Sequence, residues 1–288
     1  MNSYVSLWRD TVQKFHEQSL RAQDFTSFEE PLDFWKNLTR FFIEDPYRPN
    51  DSELNALNKF VGAKDSILDV GGGAGRLALP LALKASRVEV VESSTAMLES
   101  LKDAAQKSGI QNINTVQSDW MNAKSSMAEI VLCAHVIYNS AEIAEFLDKL
   151  ILHAKREVIL LTFVSSPMSW LSPFWELIYD EQRIELPGMK EIVNVLWEMN
   201  IFPDIEMITP SYVSEWLEHS PEGEVRPRTY LNLQEAVEHI APRLFISLGS
   251  PQEKILTDAI LKLMSGDNGL CMNSEKISQR VAIIRWRT

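Results

Sequence analysis

Residues 65–76, Asp65-Ser-Ile-Leu-Asp-Val-Gly-Gly-Gly-Ala-Gly-Arg76, set four of the chain's eleven glycines directly behind a short apolar run. Ile67, Leu68 and Val70 read as a buried parallel strand, and the glycines as the turn that leaves it. From Leu77 to Lys84 the apolar spacing becomes helical. Glycine suits such a turn because a ligand can then lie against bare backbone at a helix N-terminus, where any Cβ would collide.

Strand and helix patterns alternate from 65 to 165. Strands are expected at 66–70, 87–92, 113–117, 130–134 and 158–163, with helices near 74–84, 95–108 and 141–154. This alternation implies a parallel sheet covered on both faces, joined by right-handed crossovers. Ahead of it, residues 1–60 look helical and carry Trp8, Phe15, Phe25, Phe28, Phe34, Trp35, Phe41 and Phe42. Pro46 and Pro49 break this part before a helix at 52–60. Beyond Phe163, Trp170, Phe174, Trp175, Tyr179 and Trp197 recur at mostly helical spacings. A strand is expected at 205–208, helix over most of 211–264 apart from the polar loop 220–228, and a closing strand at 280–286. The fold class expected is α/β: a doubly wound, Rossmann-like, seven-stranded sheet with N-terminal helices and a largely helical C-terminal insertion or cap. Three parts follow: a helical cap (1–60), a ligand-binding Rossmann-like core (61–165), and helical insertions plus the final two strands (166–288).

The chain has 288 residues, 45% of them hydrophobic, enough for a sizeable core. No apolar run approaches the roughly 18 to 20 residues that span a bilayer, and the first ten residues lack the apolar core of a signal peptide. Cys133, in an apolar strand, and Cys271, in a polar loop, give neither a disulfide framework nor metal spacing, and a cytoplasmic setting is expected. The 28 basic and 40 acidic residues leave a net charge of −12, with no basic excess for a phosphate backbone. Neither nucleic acid nor membrane is an expected partner. The five histidines (16, 135, 153, 219, 239) show no ligand spacing, so no metal is expected.

Ligands of doubly wound sheets sit beyond the carboxyl ends of the strands, where the strand order reverses. Asp69 ends the first strand and Glu92 the second, where a carboxylate can accept two hydrogen bonds from ribose hydroxyls. Asp119 follows the third strand and can accept from an exocyclic amine, with Trp120 beside it. Gly73-x-Gly75-x-x-Ala78 also fits a dinucleotide fingerprint, with Glu92 near the expected acid. A nicotinamide or flavin enzyme therefore stays open, as does a purely structural turn, although Asp69 would repel a diphosphate.

Over residues 60–165 this set resembles the class I S-adenosylmethionine-dependent methyltransferases, and the closing pair of strands resembles that family's hairpin. Asp69-x-Gly71-x-Gly73-x-Gly75 matches the first motif, Glu92 the acid after the second strand, Ser118-Asp119-Trp120 the adenine-side segment, and residues 134–139 the stretch after the fourth strand. The resemblance implies S-adenosylmethionine as cofactor. Gly71, Gly73 and Gly75 would take its methionine and ribose, Glu92 the ribose hydroxyls and Asp119 the adenine, flanked by Ser93, Met97 and Trp120. It also implies methyl transfer to a small-molecule acceptor, with a non-catalytic cofactor-binding protein or a nicotinamide-dependent oxidoreductase as the rivals.

A base is needed only where the acceptor keeps a tightly held proton. His135 is the candidate, with Tyr138 and Asn139 in the same loop to orient an acceptor. The alternative is that His135 packs on the cofactor and the other two cap the next helix. No Asn-Pro-Pro-Tyr or Asp-Pro-Pro-Tyr segment follows the fourth strand, which argues against methylation of nucleic-acid amino groups. Trp8, Trp35 and Phe42 at the front and Trp170, Trp175 and Tyr179 in the insertion roof an apolar or aromatic acceptor, or else belong to the core. Arg226 and Arg228 offer an acceptor carboxylate a partner, or are simply solvated.

Overall fold

A computed structural model describes residues 3–29, 33–37, 39, 42–49, 51–209, 217–219, 225–266, 269–272 and 280–288. Seven strands form one sheet: β1 (Ser66–Val70), β2 (Arg87–Glu92), β3 (Ile113–Gln117), β4 (Ala128–Ala134), β5 (Ala154–Phe163), β6 (Asp204–Ile208) and β7 (Val281–Arg287). Their order is β3-β2-β1-β4-β5-β7-β6. The first five are parallel, and β7 runs antiparallel between β5 and β6. All seven expected strands are present in a single doubly wound sheet.

β5 starts four residues earlier than its apolar pattern indicates, because the polar stretch Lys155-Arg156-Glu157 is paired rather than solvated. Arg156 bonds Asp65 (Nη1–Oδ1 2.6 Å), and Glu157 bonds Arg285 of β7 (3.3 Å). Opposite charges, one of them on the neighbouring β7, make such a start tolerable where the apolar signal is missing.

The helices are α1 (Tyr4–Thr26), α2 (Ser52–Leu57), α3 (Ala78–Ala82), α4 (Thr95–Lys107), α5 (Ile143–His153), α6 (Ser172–Tyr179), α7 (Met189–Glu198), α8 (Leu233–Ile240) and α9 (Pro251–Leu263). α3 is shorter than the helix expected over 74–84, since Gly75 holds φ at +87°, outside the helical region. Residues 211–264 are less helical than expected. Leu217–His219 pairs antiparallel with Val225–Pro227, and the second of these lies in the expected polar loop. Three-residue strands are too short to show an alternating pattern. Cys271, expected in a loop, lies in a two-residue strand paired with Met264–Ser265. Phe41 and residues 210–216 and 220–224, for which the sequence raises expectations, lie outside the described residues.

The core runs through β1, β4 and β5, whose apolar residues are almost wholly buried, onto Leu147 and Leu150 of α5. α1 lies across the loop that follows β4, and Trp8 Nε1 donates to the Ser140 carbonyl at 2.8 Å. Trp8 is 2% exposed. It holds α1 to the core and so does not roof a site. Among the described residues no helix is long and apolar enough to cross a membrane.

Candidate functional site

β1 lies between β2 and β4, so the strand order reverses at its carboxyl end, and the glycine turn emerges there. Gly71 has φ +71°, and a Cβ on it would stand 2.3 Å from Val136 Cγ2 in the loop after β4. Only glycine fits. Gly73, at φ +55°, is open by contrast: the nearest atom to a Cβ there is Met97 Sδ at 3.9 Å. The turn is thus tight against the protein at one residue and bare toward the cleft two residues later. Gly75 faces Leu79 and Leu101 of the core, apart from the cleft.

Glu92 reaches back from the end of β2. Its Oε2 accepts from Gly73 N–H (3.0 Å), and its Oε1 accepts from Ser94 N–H (2.8 Å). One carboxylate therefore ties the glycine turn to the start of α4. Ser94 caps that helix by accepting from Met97 N–H (3.2 Å), while its hydroxyl lies 3.0 Å from both Asp33 oxygens. Asp119 caps the single turn Trp120–Asn122 by accepting from Met121 N–H at 2.9 Å. Trp120 packs edge-on to Phe146 and His153.

Asp69 is 1% exposed, and its Oδ1 is buried with no hydrogen-bond partner. Burial, reinforced by neighbouring Glu92 and opposed by Arg76, pushes its carboxyl up to about 7. A buried acceptor left unsatisfied costs about 1–3 kcal/mol, so this oxygen favours any donor or cation that enters beside it.

A cavity of about 640 Å³ opens over these strand ends. Asp69, Gly71, Gly73, Glu92, Ser93 and Met97 line it, as do Asp119, Trp120, His135 and Tyr138. Of the cofactor-binding residues expected from sequence, Gly75 alone is not in the lining. The covering wall includes Phe15, Trp35, Phe42, Trp175, Arg183 and Arg243. Trp170 is instead core, at 2% exposure, and Tyr179 donates its hydroxyl to the Leu244 carbonyl. Arg228 pairs with Glu235 at 2.5 Å, and the side chain of Arg226 lies outside the described residues.

A buried charged cluster beneath His135 escaped the sequence reading. Glu53 of α2 is 1% exposed and ion-paired to Arg76 Nη2. Arg76 Nη1 lies 3.5 Å from Asp51, whose Oδ2 also accepts from Arg48 at 2.9 and 2.7 Å. Burial alone would raise the Glu53 carboxyl, but Arg76 and His135 outweigh it and hold the group down to about 2. His135 Nε2 stands 3.5 Å from Glu53 Oε1, at the limit of hydrogen bonding, and its ring stacks on Phe163 at 4.4 Å. Its backbone is left-handed, φ +61°, a conformation uncommon outside glycine that concentrates at functional loops.

Tyr138 Oη accepts from Phe163 N–H (2.8 Å) and lies 3.3 Å from His135 Nδ1. Burial pushes its phenol far above the usual range. Tyr138 therefore holds the loop in place and is not available as a proton donor or acceptor near neutral pH. In sequence, Glu53 is only an acid in the first turn of a short helix, where the helix dipole explains it without a distant partner. Among the described residues no group of three or more His, Cys, Asp or Glu could hold a metal.

Residues 67–156 match a family model described as a methyltransferase domain. An uncharacterised protein of Haemophilus influenzae is 30% identical over 168 residues, 58% of this chain and 61% of that one. A ubiquinone biosynthesis O-methyltransferase of Rickettsia prowazekii is 34% identical over 94 residues, 32% of this chain and 37% of that one. The chain thus spans about three fifths and little more than a third of these two relatives. Among solved structures, a Bacillus halodurans protein provisionally named a methyltransferase shares the fold, with TM-score 0.55 and 14% identity over 82% of this chain and 98% of that one. Glycine turn, strand order and sequence match meet on the same segment: residues 67–156 match a methyltransferase domain, on a sheet whose fold the solved neighbour shares.

Proposed function

We propose that the chain transfers a methyl group from S-adenosylmethionine to a small-molecule acceptor held in the same cavity. The observation that carries this reading is the bare turn at Gly73, bracketed by Glu92, in a cavity that Asp69 also lines. Backbone without side chains, a carboxylate one strand over and an acidic floor fit a cationic sulfur nucleoside. They fit a dinucleotide diphosphate poorly, since the arginine beside the turn, Arg76, is already ion-paired to Glu53.

When bound, the cofactor supplies a methyl group on a positively charged sulfur, a good leaving group. Glu92 would hold the ribose hydroxyls, Gly71 and Gly73 would admit the methionine and ribose, and Ser93, Met97, Asp119 and Trp120 would surround the adenine. The covering wall aligns the acceptor and excludes water, the main sources of acceleration for an in-line displacement. His135 accepts the acceptor's proton, with Glu53 and Tyr138 as the positioning residues nearest its ring nitrogens. Relatives named O-methyltransferases and this histidine–carboxylate pair together favour an acceptor hydroxyl.

Calorimetry with S-adenosylhomocysteine and with NAD⁺ tests the reading. Binding of the former only is expected, and Glu92→Ala should weaken it by about 1.5–3 kcal/mol, the scale of hydrogen bonds to a charged group. A preference for NAD⁺ overturns the proposal.

A further inference from the structure

Among the cavity's acidic lining residues Asp69, Glu92 and Asp119 come from strand ends and Glu185 from the cover, and Arg183 and Arg243 also reach it from the covering segments. Arg183 follows α6. Its guanidinium carbon lies 3.7 Å from the ring centre of Trp175 and 3.9 Å from that of Phe15. Two cation–π contacts hold the group, and they also fix its plane.

Its position along that plane is fixed from α1. Nη1 donates to Gln18 Oε1 (3.0 Å) and Nη2 to Ser19 Oγ (2.8 Å). Gln18 is itself immobilised: its Oε1 accepts from Ile184 N–H (3.0 Å), and its Nε2 donates to the Gln182 carbonyl (2.8 Å). Every partner holding this arginine is neutral. Among the described residues no carboxylate lies within the 4.0 Å of an ion pair to it, in a chain with 40 acidic and 28 basic side chains. Nearby Glu181 is bonded instead to Arg21, at 3.4 Å. Glu185, the acid on this side of the cavity, accepts from Ser172 Oγ at 3.0 Å. Burial lowers the Arg183 guanidinium to about 10 and that of Arg243 to about 9, so both stay cationic near neutral pH.

A half-buried cation oriented in advance, stacked between aromatic rings and, among the described residues, in ion-pair contact with no carboxylate, is built to receive an anion from a planar ligand. We infer that the methyl acceptor is an aromatic acid, and that Arg183 binds its carboxylate while the rings around it take the apolar body. This rests on the cavity being the methyl-transfer site. It assigns the acceptor end an electrical sign opposite to that of the cofactor end.

Three probes of one shape test the idea on the full chain: 2-naphthoate, 2-naphthylmethanol and 2-naphthylmethylammonium, each titrated by calorimetry beside S-adenosylhomocysteine. Naphthoate should bind about tenfold or more tighter than the alcohol, with the ammonium weakest, as for a charge-assisted pair. Arg183→Gln should bring naphthoate and alcohol within about threefold of each other while S-adenosylhomocysteine binding, which also reports folding, stays unchanged. Arg183→Lys should fall between, keeping charge but not the planar fork. Equal or reversed ranking of the probes by the unaltered protein overturns the inference, whether or not the variants fold. Loss of S-adenosylhomocysteine binding alone, with the naphthoate preference intact, would instead remove the methyl-transfer reading.

Discussion

At the scale of single residues, burial sets the chemistry. Asp69 has its folded pKa raised from 3.8 to about 7. Between these values the folded chain holds a proton that the unfolded chain has released. Stability from this group is therefore complete below pH about 4 and is lost as pH rises toward 7, by at most roughly 4 kcal/mol. Urea unfolding at pH 5 and pH 8 should show the protein losing more stability than Asp69→Asn, and an equal loss would place the cause elsewhere. Glu53→Gln should cost about 3–5 kcal/mol in the same assay, the cost of leaving a buried partner, here Arg76, without its counter-charge. Asp69 and Glu92 were legible from their places at strand ends. Glu53 was not, because its partners Arg76 and His135 are 23 and 82 residues away in sequence and meet it only through packing.

At the scale of elements, the cleft depends on where helices begin. α4 starts at Ser94, whose hydroxyl caps Met97 N–H and also bonds Asp33 of the front segment. Ser94→Ala should cost about 1–2 kcal/mol in chemical denaturation, the range for a lost cap. It should also weaken S-adenosylhomocysteine, since Glu92 is oriented partly by Ser94 N–H. The strands of the sheet were legible from their apolar runs, and α4 and α5 from helical periodicity. The start of β5 was hidden by paired charges, and the hairpin at 217–219 and 225–227 by its shortness. The front aromatics divided in a way no spacing indicates: Trp8 went to the core, while Trp35 and Phe42 went to the cavity.

At the scale of the whole molecule, the antiparallel β7 closes the sheet between β5 and β6. The long segments leading to β6 and β7 can then fold back over the strand ends without breaking the sheet. The proposed cofactor and acceptor share one cavity between sheet and cover, so ligand binding should stabilise the whole chain. S-adenosylhomocysteine at 100 times its dissociation constant should add about 2.7 kcal/mol to the unfolding free energy. The thermal midpoint should climb with its concentration, and a midpoint indifferent to it would contradict the assignment of the cleft.

The amino-acid order alone determined the alternating sheet, its turn at Gly71–Gly75 and the acids at the ends of β1, β2 and β3. These are local patterns, imposed by side-chain periodicity and by backbone that tolerates no Cβ. The tertiary structure alone decided that Glu53 stands behind His135 and that Arg183 is clamped between Phe15 and Trp175 at the cavity wall. Those contacts join residues from the front helices, the glycine turn and the insertion. Which distant side chains meet depends on how the covering helices settle on the sheet, a property of packing in three dimensions that no spacing along the chain encodes.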